Sequence, residues 1–85
     1  MHDGDPPLTC ERLAALLDAE GYTADSYGIG RHGKYRDQAF VLDRWSNRWV
    51  VYYTERGQKS YVRKYTSEVA ACRDLLARLR GEVVR

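Results

Sequence analysis

The sequence has few residues that can hold a metal ion or build a disulfide framework. Among its 85 residues are only two cysteines, Cys10 and Cys72, and two histidines, His2 and His32. A structural zinc site takes about four ligands at short spacings, and neither cysteine has a second ligand-type residue at the spacing of a metal site. A disulfide between them is an open alternative, but isolated cysteines in a chain without a secretory signal are usually reduced, so both are interpreted as small core residues. No cofactor is expected.

Long apolar runs are also missing. No stretch of about 18 apolar residues is present, which predicts that nothing spans a membrane. The first seven residues are acidic and polar, and they lack both the basic start and the apolar centre of a secretory signal. The sequence therefore predicts a cytoplasmic protein with a flexible leader over residues 1–8.

The sequence also has no strong catalytic motif. The glycines of segment 28–33 have the spacing of a dinucleotide-binding fingerprint, but strand-like residues follow them where a helix is required. His32 has no carboxylate and nucleophile at a spacing that would assemble a triad around it. We expect a protein that is not an enzyme and that binds another macromolecule.

The charge distribution is uneven. The net charge is only +2, yet residues 1–25 carry six acids and one base, whereas residues 26–66 carry nine bases and three acids. A basic middle is typical of a protein with an anionic partner, although a solvated surface with internal ion pairs gives the same pattern.

Periodicity and punctuation predict a single α+β domain. Apolar residues at helical spacing indicate a helix at each end of the chain, and β-branched and aromatic residues indicate strands between them. The predicted order is helix 9–20, loop 21–38, a three-stranded antiparallel meander within 39–65 (Ala39–Trp45, Arg48–Glu55, Ser60–Tyr65) and helix 67–80. A short strand across Ser26–Gly30 is an open alternative within the loop.

Both helices are expected on one face of the sheet, which leaves the other face to solvent or to a partner. On the middle strand, Trp49, Val51 and Tyr53 point one way, and Val50 and Tyr52 the other. Both sets are apolar, so either can face the helices. The meander thus offers more aromatic surface than one thin core needs, interleaved with the Arg and Lys side chains that are common in binding surfaces.

Two segments carry a resemblance to a known group. An aromatic strand ending in Glu55-Arg56-Gly57 is followed by a further strand and by a helix that begins with Ser67-Glu68 and contains Ala71-Cys72. Over residues 39–80 the chain resembles small immunity proteins of bacterial polymorphic toxin systems. The resemblance implies a cytoplasmic, cofactor-free protein that binds a co-encoded toxin domain and blocks its active site or substrate channel.

The alternative is a nucleic-acid-binding module. A three-stranded meander followed by a helix also resembles two groups of DNA-binding domains, one from plants and one that forms the arm of integrases. The low net charge and the acidic first helix are evidence against this class. For either partner, the predicted contact set combines loop 31–36 with aromatic and basic residues of the meander. Its members are Tyr35, Arg36, Trp45, Arg48, Tyr52 and Arg63.

Overall fold

The computed structural model describes residues 7–23, 26–30 and 37–81. The elements in chain order are α1 (Cys10–Ala19), β1 (Tyr27–Ile29), β2 (Ala39–Trp45), β3 (Arg48–Glu55), β4 (Gln58–Tyr65) and α2 (Glu68–Leu79). Most of the predicted leader and all of loop 31–36 lie outside the described residues. In the part of the chain that is described, neither helix has the length and apolarity needed to cross a bilayer.

Each helix begins where its capping residue predicts. The Thr9 hydroxyl accepts a hydrogen bond from the Arg12 amide at 3.2 Å, and the Ser67 hydroxyl accepts one from the Ala70 amide at the same distance. Glu11 and Glu68 lie in the first turns, where the helix dipole favours an anion. The predicted helices over 9–20 and 67–80 are confirmed to within one residue at each end.

The sheet differs from the prediction in one respect. It has four strands in the order β1-β2-β3-β4, and the predicted antiparallel meander corresponds to β2, β3 and β4. The additional strand β1 lies inside the predicted loop 21–38 and pairs parallel to β2, with Tyr27 opposite Phe40. It was only an open alternative in the sequence because it is three residues long and contains a glycine, a residue depleted in strands.

The last strand begins earlier than predicted. Gln58 pairs with Glu55, so the hairpin turn consists of Arg56 and Gly57 alone, with φ values of 53° and 78°. Two consecutive residues with positive φ are the requirement of the tight turn that best matches the twist of two antiparallel strands. Gly57 adopts this conformation without cost, whereas Arg56 adopts it against its steric preference.

One core lies between the helices and the first face of the sheet. Leu13 and Leu17 from α1 pack with Leu75 from α2 against Leu42 and Val51, and all five are 0% exposed. Leu42 and Val51 are paired neighbours on β2 and β3, so both helices lie on this face, as predicted. The structure thereby decides that the Trp49 and Val51 side of β3 faces the helices.

A buried polar group fixes α2 to the sheet. Asp74 accepts hydrogen bonds from the Tyr65 hydroxyl at 2.5 Å and from Arg78 Nε at 2.8 Å, with its side chain only 2% exposed. A buried carboxylate is tolerated when it is paired in this way. The contact orients α2 against the end of β4.

Candidate protein-contact surface

The face of the sheet opposite the helices carries a second apolar cluster, which we call the back face. Its centre is formed by Val41, Val50 and Tyr52, with Trp45 half-buried beside them. The three central residues are 0% exposed. The expectation that this face is open to solvent or to a partner is therefore wrong at its centre.

Two lysines contribute to the cover of the back face. The Trp45 and Tyr52 rings lie 5.8 Å apart, with the Lys59 ammonium 5.5 Å from the Tyr52 ring and the Lys64 ammonium 5.9 Å from the Trp45 ring. These distances are within the range of a cation–π contact, and the aliphatic stems of lysines cover apolar surface. The aromatic surplus seen in the sequence thus builds a second cluster instead of an exposed platform.

The Tyr52 hydroxyl has an unusual environment. It is buried and has no hydrogen-bond partner among the residues that the structure describes. Burial raises the pKa of Tyr52, and the negative charge of nearby Asp43 raises it further. Asp43 itself accepts hydrogen bonds from the Arg44 amide at 2.7 Å and from Trp45 Nε1 at 3.3 Å.

The structure separates the predicted contact residues. Trp45 and Arg48 are paired neighbours at the end of the β2–β3 hairpin, where Arg48 is exposed. Tyr52 is inaccessible, and Arg63 pairs with Val51, which places it half-buried on the helix side. Tyr35 and Arg36 lie outside the described residues. Of the predicted set, Trp45 and Arg48 are the pair that the structure brings together at the surface.

A surface that the sequence did not indicate lies along β4, the edge strand of the sheet. Val51 pairs with Arg63 and Tyr53 pairs with Ser60, so β4 has one residue more than β3 between these pairs. The extra residue makes a β-bulge at Tyr61 and Val62. These are the only large hydrophobic residues exposed in the described part of the chain, at 78% and 41%. We call segment 58–65 the β4 edge.

Tyr61 occupies a backbone conformation that tyrosine disfavours. Its φ is 55°, in the left-handed region where a side chain with a Cβ costs about 1–2 kcal/mol relative to the right-handed region. Strain of this kind persists where the surrounding structure imposes it, and it is concentrated at functional sites. The bulge directs a large aromatic ring into solvent at an energetic cost.

A shallow groove adjoins Tyr61 at the tip of the β3–β4 hairpin. It encloses about 420 Å³ and is lined by Tyr53, Glu55, Arg56, Gln58, Ser60 and Tyr61. The Tyr53 hydroxyl donates a hydrogen bond to Glu55 at 3.2 Å, and the Asp37 carboxylate accepts one from the Arg56 amide at 2.6 Å. These contacts hold the tip of the hairpin in a defined shape.

The charge around the β4 edge is positive. Segment 55–65 carries four bases, Arg56, Lys59, Arg63 and Lys64, against the single acid Glu55. Lysines and a bulge on an edge strand also prevent another strand from pairing with it. A partner at this edge is therefore expected to contact side chains and not to extend the sheet.

The comparisons give no independent guide to the role of this surface. No protein-family model, no curated protein and no solved structure matches the chain. Within residues 7–23, 26–30 and 37–81, no three His, Cys, Asp or Glu side chains come together in a way that could hold a metal ion.

Proposed function

We propose that the chain is an immunity-type protein that binds a co-encoded bacterial toxin domain and blocks its active site or substrate channel. The observation that carries this proposal is the strained, 78% exposed Tyr61 beside Val62 on the β4 edge. Tyrosine is among the residues that dominate the energetics of protein interfaces, because its ring buries a large area with few rotatable bonds. A rigid strand presents the ring without further ordering.

The surroundings of Tyr61 favour a protein partner with an acidic contact surface. In the chain, the exposed Arg56 and Lys59 precede the exposed apolar pair and the half-buried Arg63 follows it, so basic residues flank an apolar pair as they do in many protein interfaces. Positive charges at the rim accelerate association with an acidic surface and discriminate against basic ones. The groove beside Tyr61 offers room for a side chain of the partner.

The proposal is tested with the toxin domain encoded beside this chain. Co-expression with the chain should restore growth of cells that produce the toxin domain, and the two proteins should co-purify as a complex after nuclease treatment. Tyr61→Ala should weaken the complex by about 30-fold or more in isothermal titration calorimetry, which corresponds to an interface hot spot.

A matched control is Arg73→Ala, which removes an exposed side chain on α2. It should leave the affinity unchanged. Absence of both growth protection and a complex would refute the immunity function. If the Tyr61→Ala variant protects cells fully and binds with unchanged affinity, Tyr61 is not part of the contact surface, although the immunity function still holds.

Nucleic-acid binding is the second candidate, favoured by the exposed Tyr61 ring within a basic edge. Aromatic rings stack on unpaired bases, and lysines and arginines neutralise phosphates. Fluorescence anisotropy with a labelled single-stranded oligonucleotide across a salt series distinguishes the two. An affinity that falls steeply and linearly with the logarithm of salt concentration would support this candidate over the first.

A further inference from the structure

Folding brings together the two cysteines that are far apart in the sequence. Cys10 is the first residue of α1, and its amide donates a hydrogen bond to the carboxylate of Glu68, the first residue of α2, at 2.8 Å. Cys72 follows Glu68 by one helical turn and therefore lies on the same face of α2. Cys10 packs against the core cluster that contains Cys72, and both thiols are free.

The two thiols are unequal in chemistry and in access. The neighbouring Cys72 thiol lowers the pKa of Cys10 from its usual value. The interaction with Cys10, together with burial, raises the pKa of Cys72. The negative charge of Glu68 raises the pKa of Cys10, whereas the helix dipole at the beginning of α1 favours the thiolate form of Cys10. Cys10 is half-buried and Cys72 is 0% exposed.

We propose that Cys10 and Cys72 form a redox-modification site, in which a hydroperoxide oxidises Cys10 and Cys72 then closes a disulfide that joins α1 to α2. Cys10 is the group that a small oxidant reaches first. Cys72 belongs to the buried cluster against which Cys10 packs and is shielded from solvent, which suits a resolving thiol. The proposal is independent of the function proposed for the β4 edge.

The chemistry balances in two steps. The Cys10 thiolate attacks the outer oxygen of hydrogen peroxide, the O–O bond breaks, and the products are a sulfenic acid and hydroxide, which takes up the thiol proton as water. Cys72 then attacks the sulfenic sulfur, the S–O bond breaks, and a second water leaves. Overall, two thiols and one peroxide give one disulfide and two waters. A dithiol reductant reverses the reaction by thiol–disulfide exchange.

The first test is intact-mass spectrometry of the purified chain after treatment with stoichiometric hydrogen peroxide. The expected product is a monomer lighter by two hydrogens, with a non-reducing peptide map that links the Cys10 peptide to the Cys72 peptide, and with full reversal by dithiothreitol. Because the cross-link closes a loop of roughly 60 residues, the oxidised form should have a Tm at least about 10 °C higher than the reduced form.

Two variants assign the roles of the thiols. In Cys72→Ala, peroxide should leave a sulfenic acid at Cys10 that reacts with dimedone. In Cys10→Ser, which changes a half-buried position, Cys72 should remain a free thiol under the same treatment. This second variant decides the assignment even where removal of the buried Cys72 impairs folding.

The following results would overturn the proposal. They are unreacted thiols in the folded wild-type chain, over-oxidation of Cys10 to sulfinic acid with no cross-link, and disulfides formed only between chains. A cross-link that forms with a lower Tm would also overturn it, because it would mean that the folded geometry does not accommodate the bond.

Discussion

The conformation of Tyr61 makes a prediction about stability that requires no partner. At an ordinary strand position, a protein with glycine is less stable than the same protein with alanine by about 0.5–1 kcal/mol, because glycine loses more backbone freedom on folding. At a positive φ, alanine bears a steric cost of about 1–2 kcal/mol that glycine avoids. The φ of 55° at Tyr61 therefore reverses the usual order of the two residues.

The difference between these terms gives the expected magnitude. Tyr61→Gly should be more stable than Tyr61→Ala by about 0.5–1 kcal/mol. Comparing the two variants with each other removes the contribution of the tyrosine ring, whose exposure of 78% leaves only a small buried area in any case. The comparison thus isolates the backbone strain of the bulge.

The assay is equilibrium unfolding in urea, monitored by circular dichroism, with the adjacent Val62 as the matched control. Val62 lies in the same bulge but does not have a positive φ. Val62→Ala should be more stable than Val62→Gly by about 0.5–1 kcal/mol, the opposite order. If alanine is favoured at both positions, Tyr61 is not strained and the structural basis for singling it out is lost.

Three further predictions concern the buried polar groups. Tyr52→Phe should raise the free energy of unfolding by about 1 kcal/mol, because it removes a buried hydroxyl that has no partner among the described residues; a loss of stability in urea unfolding would show that the hydroxyl is satisfied. Asp74→Asn should lower the free energy of unfolding by about 3 kcal/mol, because Arg78, whose side chain is 8% exposed, would lose its counter-ion. A change below about 1 kcal/mol would show that the pair is solvated. Burial raises the pKa values of Tyr52 and Tyr65, so each of these phenols binds its proton more tightly in the folded state than in the unfolded chain. The resulting stability is present below about pH 10 and should be lost as the pH rises above that value; unfolding curves from about pH 8 to about pH 11 that show no decline would contradict this.

Local signals in the sequence account for the elements that were predicted correctly. Thr9 and Ser67 cap helices because a hydroxyl before an apolar-periodic segment satisfies an amide of the first turn. The β2–β3–β4 meander follows from short turns between β-branched and aromatic segments, and adjacent strands joined by such turns are antiparallel. These features depend on residues that are close together in the chain.

The features that were wrong or absent in the prediction depend on distant residues. Strand β1 exists because Tyr27–Ile29 finds a parallel partner in β2, which no short turn announces. Tyr52 was predicted to contact a partner because alternation alone divides β3 into two apolar sets without indicating how far either is covered. The bulge at Tyr61 is recognised only from the pairing of β3 with β4, in which two residues of β4 lie opposite one residue of β3.

By itself the sequence determined two capped helices, an antiparallel meander and the apolar stripes that join them, because periodicity and turn chemistry act over a few residues. Only the tertiary structure decided which side of β3 meets the helices, that Tyr52 is buried, and that Cys10 packs against the cluster that contains Cys72. It also decided that the strained, exposed ring belongs to Tyr61. These outcomes arise from packing and register between distant segments, and one-dimensional spacing carries no information about either.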